Sequence, residues 1–219
     1  VLFRSIQKSY EAISPLRSKF SNLVLDCNSV FTASSETYLL DTVKSLDRNF
    51  NFDNMSVTYA RGNIKDKKLK NVSKTRYKLI NDFLEAREKK REKRLLYPLW
   101  RGVNSVTRTN LMRTVFDDEF VSSCVAGRKL LVVSETGEVQ PCEILGKSIG
   151  NLRNHNWDLT KLLKENSVKT MQKWIKDTKC KCSFECALAA NVVWKPINYP
   201  KVVSAAIKNI GKTMVDHSK

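Results

Sequence analysis

Cys180-Lys181-Cys182-Ser183-Phe184-Glu185-Cys186 places three thiols on one short turn, and its reading decides the fold of the C-terminal half. Upstream stands a second signal, Cys124-x12-Gly137-x4-Cys142. Lys129 to Val133 reads as a strand, Ser134-Glu135-Thr136-Gly137 as a tight turn, and Glu138 to Gln140 as the return strand. Gly137 supplies the positive φ such a turn needs. With the turn there, Val133 faces Glu138 and Cys142 falls opposite Lys129, while Gly127 lets the backbone fold Cys124 back. Two thiols far apart in sequence thus converge at the open end of a hairpin. Four thiolates suffice for a [4Fe–4S] cluster. Cys124, Cys142, Cys180, Cys182 and Cys186 therefore leave one spare, with Cys180 the candidate.

Composition sets the class. Of the 219 residues 42% are hydrophobic, with only 7 Gly and 5 Pro, which suits a folded core rather than a disordered chain. The absence of a long apolar run predicts no membrane span. With no secretory signal at the start, a cytoplasmic setting is expected, and clustered cysteines there point to metal or redox chemistry before disulfides. The net charge of +17 admits anionic partners. Its densest stretch, Arg87 to Arg94, mixes in Glu88 and Glu92 and reads as a solvated helix face.

Two strand–helix units are expected upstream. Leu23 to Cys27 reads as a strand closed by the turn signal Asn28-Ser29; Ser34 or Ser35 then caps a helix burying Tyr38, Leu39, Val43 and Leu46. Met55 to Ala60 reads as a second strand closed by Arg61-Gly62, followed by a helix from Ser73 with Tyr77, Ile80, Leu84 and Leu95 at helical spacing. Alternation of this kind predicts parallel pairing. Leu99 to Phe120 reads as a helical bridge, Leu159 to Lys176 as one helix with Leu159, Leu162, Leu163, Met171 and Ile175 inward, and 200–219 as a basic tail.

The Cys124-x12-Gly137-x4-Cys142 motif, the stretches Gly137 to Glu143 and Ile149-Gly150-Asn151-Leu152, and the closing Cys-x-Cys-x3-Cys together resemble the SPASM domain of radical SAM enzymes. The resemblance covers about Cys124 to Trp194, and the upstream units resemble the last units of a partial (β/α)6 radical SAM barrel. It implies an α/β chain: 1–98 a C-terminal barrel fragment, 99–120 a helical bridge, 121–199 a small α+β SPASM-like domain with a β-hairpin, and 200–219 a basic tail. It also implies an auxiliary [4Fe–4S] cluster serving electron transfer or substrate binding during modification of a peptide, protein or small metabolite, with a reductant such as flavodoxin or ferredoxin. The full pattern has seven cysteines for two auxiliary clusters; five here favour one.

The family's Cys-x3-Cys-x2-Cys motif, which holds the cluster that cleaves S-adenosylmethionine, does not occur. The chain starts at Val1, and Val1-Leu2-Phe3-Arg4-Ser5 resembles a translated sequencing-adapter remnant. An N-terminally truncated enzyme is therefore expected, with S-adenosylmethionine and a second [4Fe–4S] cluster bound only by the full-length protein and no activity from this chain alone. Asn28 and Arg61, at the ends of the two expected strands, are the candidates for touching that cofactor or substrate.

The competing reading is a basic zinc-binding nucleic-acid-interaction module, since four thiolates also suit tetrahedral zinc. Zinc ribbons usually carry two close-spaced cysteine knuckles, and the first pair here is widely separated; nucleic acid is accordingly not the expected partner. Cys27 reads as a small buried hydrophobe, His155 and His217 as exposed polar residues, and Glu143 as a neighbour of a ligand or a plain hairpin residue. Lys129, Lys147, Lys179 and Lys181 are the cations expected to favour a reduced cluster.

Overall fold

The computed structural model describes residues 2–91 and 97–215. The chain divides into two compact units, Val1–Ala60 with Asp66–Arg91 and Arg61–Lys65 with Glu92–Lys219. Among the described residues there are eight α-helices and two small sheets, neither closed into a barrel: a mixed α/β chain.

In the first unit, α1 (Leu2–Ile13) runs through the adapter-like residues and leads to β1 (Asp26–Phe31), α2 (Leu39–Asn49), β2 (Asn54–Tyr59) and α3 (Lys74–Arg91). β1 and β2 pair in parallel, Asp26 against Asn54 through Phe31 against Tyr59. Met55, Val57 and Tyr59 alternate inward with the period of a strand. They meet Val43 and Leu46 from α2 and Tyr77, Ile80 and Leu84 from α3 in being buried, and Phe31 meets Tyr77 ring to ring at 5.2 Å.

β1 departs from expectation. It begins at Asp26 and carries Asn28 and Ser29 in its interior. The turn-forming residue is accommodated because Asn28 Oδ1 accepts hydrogen bonds from Ser56 Oγ at 3.0 Å and Thr58 Oγ1 at 2.9 Å on the neighbouring strand. Asp53 fixes the approach to β1, accepting from Leu25 N–H at 2.8 Å and pairing with Arg17. α2 also starts later than expected, after a turn in which Ser35 Oγ accepts from Thr32 N–H, and Tyr38 is exposed.

α3 carries the expected apolar positions, but its charged end is not uniformly solvated. Arg87 is buried; its Nε donates to Asp47 at 2.5 Å and its Nη2 to Phe52 O at 2.7 Å. Glu92, Lys93, Arg94 and Leu95 lie outside the described residues.

The second unit contains α4 (Tyr97–Phe116), β3 (Val132–Val133), β4 (Glu138–Gln140), β5 (Gly150–Asn151), α5 (Leu159–Leu162), α6 (Asn166–Asp177), α7 (Glu185–Val193) and α8 (Tyr199–Val215). The stretch expected to bridge is one helix as far as Phe116, packed against α7 and α8, and residues 117–120 leave it. Val106, Val192 and Val202 form their shared core. Gly102 is required at the crossing, because a Cβ there would lie 2.4 Å from Val202 O. The residues expected as a tail are therefore helical through Val215; His217 lies outside the described residues.

The hairpin pairs Val133 with Val139 and Val132 with Gln140, one residue off the expected register, and β5 adds a third antiparallel strand. The single helix expected over 159–176 is two helices. Asp158 caps α5 through Thr160 N–H at 2.9 Å and Lys161 N–H at 3.2 Å, and Glu165 is extended before α6. On one continuous helix, Leu162 and Val168 would point about 120° apart. The break lets both enter a core with Val139, Ile149 and Leu152, while Leu159 stays exposed. No helix among the described residues is long and apolar enough to cross a membrane.

Two stability outcomes follow from the buried arginines. Asp47→Ala leaves Arg87 without its carboxylate and is expected to destabilise the first unit by about 3 kcal/mol in urea titration. Arg101 on α4 is also buried, and its Nε and Nη2 find no hydrogen-bond partner among the described residues. Arg101→Met keeps the length and removes the unpaired donors, so it should stabilise the chain by about 1–3 kcal/mol; a lower midpoint would show that the guanidinium is needed where it lies.

Candidate metal centre

Four of the six cysteines meet in the second unit. Cys124 and Cys142 are buried with Ala126, Ile175, Phe184 and Ala187, and the half-buried Cys180 and Cys182 pack against the same cluster. Cys186 is exposed on the first turn of α7. Cys180 thus packs with the covered group, while Cys186 is exposed to solvent. Cys27 stands apart in the first unit, half-buried inside β1, its thiol raised chiefly by burial, with Ser29 and Arg87 acting the other way.

Local backbone chemistry explains how the arms converge. After Cys124 the chain turns back on itself: Arg128 and Lys129 N–H both donate to Val125 O, and Gly127 N–H, at φ +76°, donates to Leu130 O at 2.9 Å and Pro141 O at 3.3 Å. This closes the Cys124 arm beside the strand leading to Cys142. Gln172 Nε2 on α6 donates to Gly127 O at 2.8 Å, and Val125 N–H donates to the buried Asn191 Oδ1 on α7 at 2.8 Å. The third arm leaves α6 through Lys179 at φ +48°, with Cys180 N–H donating to Ile175 O at 3.0 Å, a helix-ending turn that throws Cys180 and Cys182 back over the core.

The sulfurs are held in polarised surroundings. Ala126 N–H donates to Cys124 Sγ at 3.5 Å and Phe184 N–H to Cys182 Sγ at 3.4 Å. Hydrogen bonds of this kind favour thiolate and tune sulfur-bound metal centres. Burial pushes the Cys180 thiol up to about 11, and Cys124, Cys182 and Cys142 push it the same way. Cys182 is also raised, chiefly by burial; the Phe184 N–H and Arg61 oppose that rise, while Cys124 and Cys142 add to it. Neighbouring sulfurs thus make Cys180 and Cys182 harder to ionise, and a bound cation would relieve both the burial and the repulsion there. Among the described residues no three His, Cys, Asp or Glu side chains stand ready-made round a single ion. The thiols share a pocket, close enough to act on one another's charge, without forming a closed cage.

Three of the cations the sequence suggested have partners of their own, and two further ones stand beside Cys124 and Ser123. Lys129 lies over Trp194 at 4.8 Å and Lys147 over Trp174 at 4.6 Å, while Lys181 donates to Asp118 Oδ1 at 2.6 Å. Instead Arg128 Nη2 donates to Cys124 O at 3.3 Å, and Lys195 Nζ donates to Ser123 O and, at 2.7 Å, to Ser123 Oγ. Burial lowers the Lys195 ammonium; Cys124 opposes that shift and Arg128 adds to it. No spacing marks Arg128 or Lys195 in sequence, because only the fold carries Lys195 back to Ser123. Arg61 belongs to the second unit and lies over the Phe184 ring at 4.8 Å. Asn28 is in mid-strand in the first unit, occupied by Ser56 and Thr58.

No family model, curated protein or solved structure matches the chain.

The raised Cys180 thiol sets a direction for pH. Folding holds its proton more tightly than an ordinary thiol near 9.0 would, so its contribution to stability is present below pH 9 and is lost as pH rises toward about 11. In the metal-free chain the urea midpoint should therefore fall across that window. At pH 8, mass mapping after brief alkylation should find Cys186 labelled well before Cys180; equal labelling would mean the pocket is open.

Proposed function

We propose that this chain is an iron–sulfur-binding module of the radical SAM type, with Cys124, Cys142, Cys180 and Cys182 holding one auxiliary [4Fe–4S] cluster. The observation that carries the reading is the packing of four thiols from three separate arms in one apolar cluster. Further support comes from the repulsion felt at Cys180 and Cys182 and from the N–H···S bonds to Cys124 and Cys182. The donor set fits the group: four sulfurs, two N–H donors aimed at sulfur, and Arg61, Arg128 and Lys195 close by.

When bound, such a cluster supplies one-electron transfer or, if one iron stays open, a point of attachment for substrate. The protein's part is to bind and to tune. Ile175, Phe184, Ala187, Leu130 and Met171 keep water from the thiolates. The N–H groups of Ala126 and Phe184 stabilise negative sulfur, and the nearby cations shift the balance toward the reduced, more negative state. Cys186, being exposed, lies outside the proposed ligand set.

The wider activity is proposed from the motif resemblance. The parent enzyme would cleave S-adenosylmethionine reductively and modify a peptide, protein or small metabolite, drawing electrons from a flavodoxin- or ferredoxin-like donor. The residues here contain no Cys-x3-Cys-x2-Cys motif, so that cleavage is not assigned to them.

Anaerobic reconstitution with iron and sulfide is expected to give about four irons and four sulfides per chain with broad visible thiolate-to-iron absorption. Alanine at Cys124, Cys142, Cys180 or Cys182 should remove most of the bound iron, whereas Cys186→Ala should keep it. About one tightly held zinc, with no iron or sulfide, would instead favour the zinc-binding alternative. That alternative also requires nucleic-acid binding that weakens steeply with salt.

A further inference from the structure

At the corner where α7 passes into α8, Val193, Trp194, Ile197, Tyr199, Val203 and Ile207 are all exposed, Ile197 at 81%, Ile207 at 62% and Trp194 at 54%. The corner is a built piece of structure. Tyr199 Oη donates to Val193 O at 3.1 Å and Asn198 Nδ2 to Asn191 O at 3.0 Å, pinning the start of α8 to the end of α7. Along α8, Tyr199, Val203 and Ile207 stand four residues apart and so share one face over about 12 Å.

This face is not the one that holds the fold. Val202 and Ala206 are the buried positions of α8, and Val202 meets Val106 and Val192 at the crossing with α4 and α7. A helix packed on one side ordinarily turns polar residues outward; α8 turns out a second apolar row. Contiguous exposed apolar surface with a polar rim marks contact with a protein or a membrane. The charge pattern decides between them. From Ala187 to Val215 the chain carries four lysines and no Asp or Glu. Lys129 adds its ammonium from the hairpin arm, 4.8 Å over the Trp194 ring, and Lys201 is exposed. Lysine is depleted where proteins bind proteins. Lysine together with Trp, Tyr and large aliphatics is instead the composition of surfaces that lie on lipid, where the rings sit at headgroup level and the ammonium groups meet phosphate.

We propose that the α7–α8 corner is a docking surface for an anionic lipid bilayer, with Ile197, Val203 and Ile207 entering the interface, Trp194 and Tyr199 at headgroup level, and Lys129 and Lys201 on the lipid phosphates. The contact lies on the membrane and does not span it, in keeping with the absence of a spanning helix among the described residues. Neither term suffices alone: a small apolar stripe gives weak, reversible binding, and the lysines supply the second, salt-sensitive attraction. The proposal is independent of the iron–sulfur reading, since it uses none of the cysteines.

The experiment is co-sedimentation of the whole chain with vesicles of phosphatidylserine and phosphatidylcholine in equal parts, against vesicles of phosphatidylcholine alone. The chain should bind the first, weaken as salt is raised, and bind the second poorly. Ile197→Asp with Ile207→Asp should weaken binding about tenfold or more, because two apolar anchors become charges. Both positions are exposed, so circular dichroism and the urea midpoint should match wild type; Ile197→Asp alone, at the most exposed position, serves where the double variant does not fold. Lys129→Gln and Lys201→Gln should each cost about fivefold. Lys67→Gln with Lys68→Gln, exposed in the first unit, removes the same charge away from the corner and should cost less. Bromine-labelled acyl chains should quench the fluorescence, and Trp194→Phe should remove most of that quenching. Equal losses from the Lys67 and Lys68 pair would mean that net charge alone drives binding, and would overturn the proposal. So would unchanged binding of folded Ile197→Asp, equal binding to both vesicles, or no binding to either. Self-association, or capture of an acidic peptide, that depends on Ile197 while vesicles are ignored would assign the surface to a protein and overturn it as well.

Discussion

Burial disfavours a charged sulfur at Cys180 and Cys182, and the sulfurs packed beside them add to that effect. The second unit is organised round that constraint. Cys124, Cys142 and the Cys180–Cys182 pair arrive on three different arms, and each arm is fixed by backbone hydrogen bonds that do not involve sulfur. The pocket is thus assembled by the fold rather than by bonds among the cysteines, which are all free.

The rest of the second unit supports that arrangement. Asn191 is buried on α7, accepts from Val125 N–H, and its own carbonyl accepts from Asn198 Nδ2 at 3.0 Å. One amide side chain therefore ties the Cys124 arm to the helical layer. At the centre of that layer Gly102 lets α4 and α8 approach until a methyl group would not fit. On the other side, the break between α5 and α6 turns both helices toward the hairpin, and Ser167 Oγ donates to Ile149 O at 2.7 Å. The same α6 then ends in the left-handed Lys179 turn from which the last two thiols start. Helix ends and one close crossing, more than regular sheet, position the pocket.

The first unit obeys different physics. Its parallel pair must be covered, and α2 and α3 cover it with the apolar stripes their sequences carry. Arg87 is the exception to a polar exterior, since its methylene stem is buried and its guanidinium is satisfied by Asp47 and a backbone carbonyl. A charge so placed is tolerated only while both partners stay in position.

The hydrophobic periodicity of the chain determined β2, α3, the hairpin turn at Gly137 and the two-strand, two-helix pattern of the first unit, because those depend on neighbours in sequence. It also placed cysteines at spacings that make a shared site conceivable. What sequence could not determine were choices settled between distant segments. Asn28 reads as a turn former until Ser56 and Thr58 are beside it. Residues 159–176 read as one helix until Leu162 and Val168 need the same core. Arg61 reads as a loop cation until Phe184, Glu143 and Glu185 surround it. Which thiols are covered was also decided in three dimensions: the Lys179 turn carries Cys180 against the core, while Cys186 on the first turn of α7 is exposed. Spacing along a chain limits which side chains can approach, but only the packed helices and turns decide which of them lose water together.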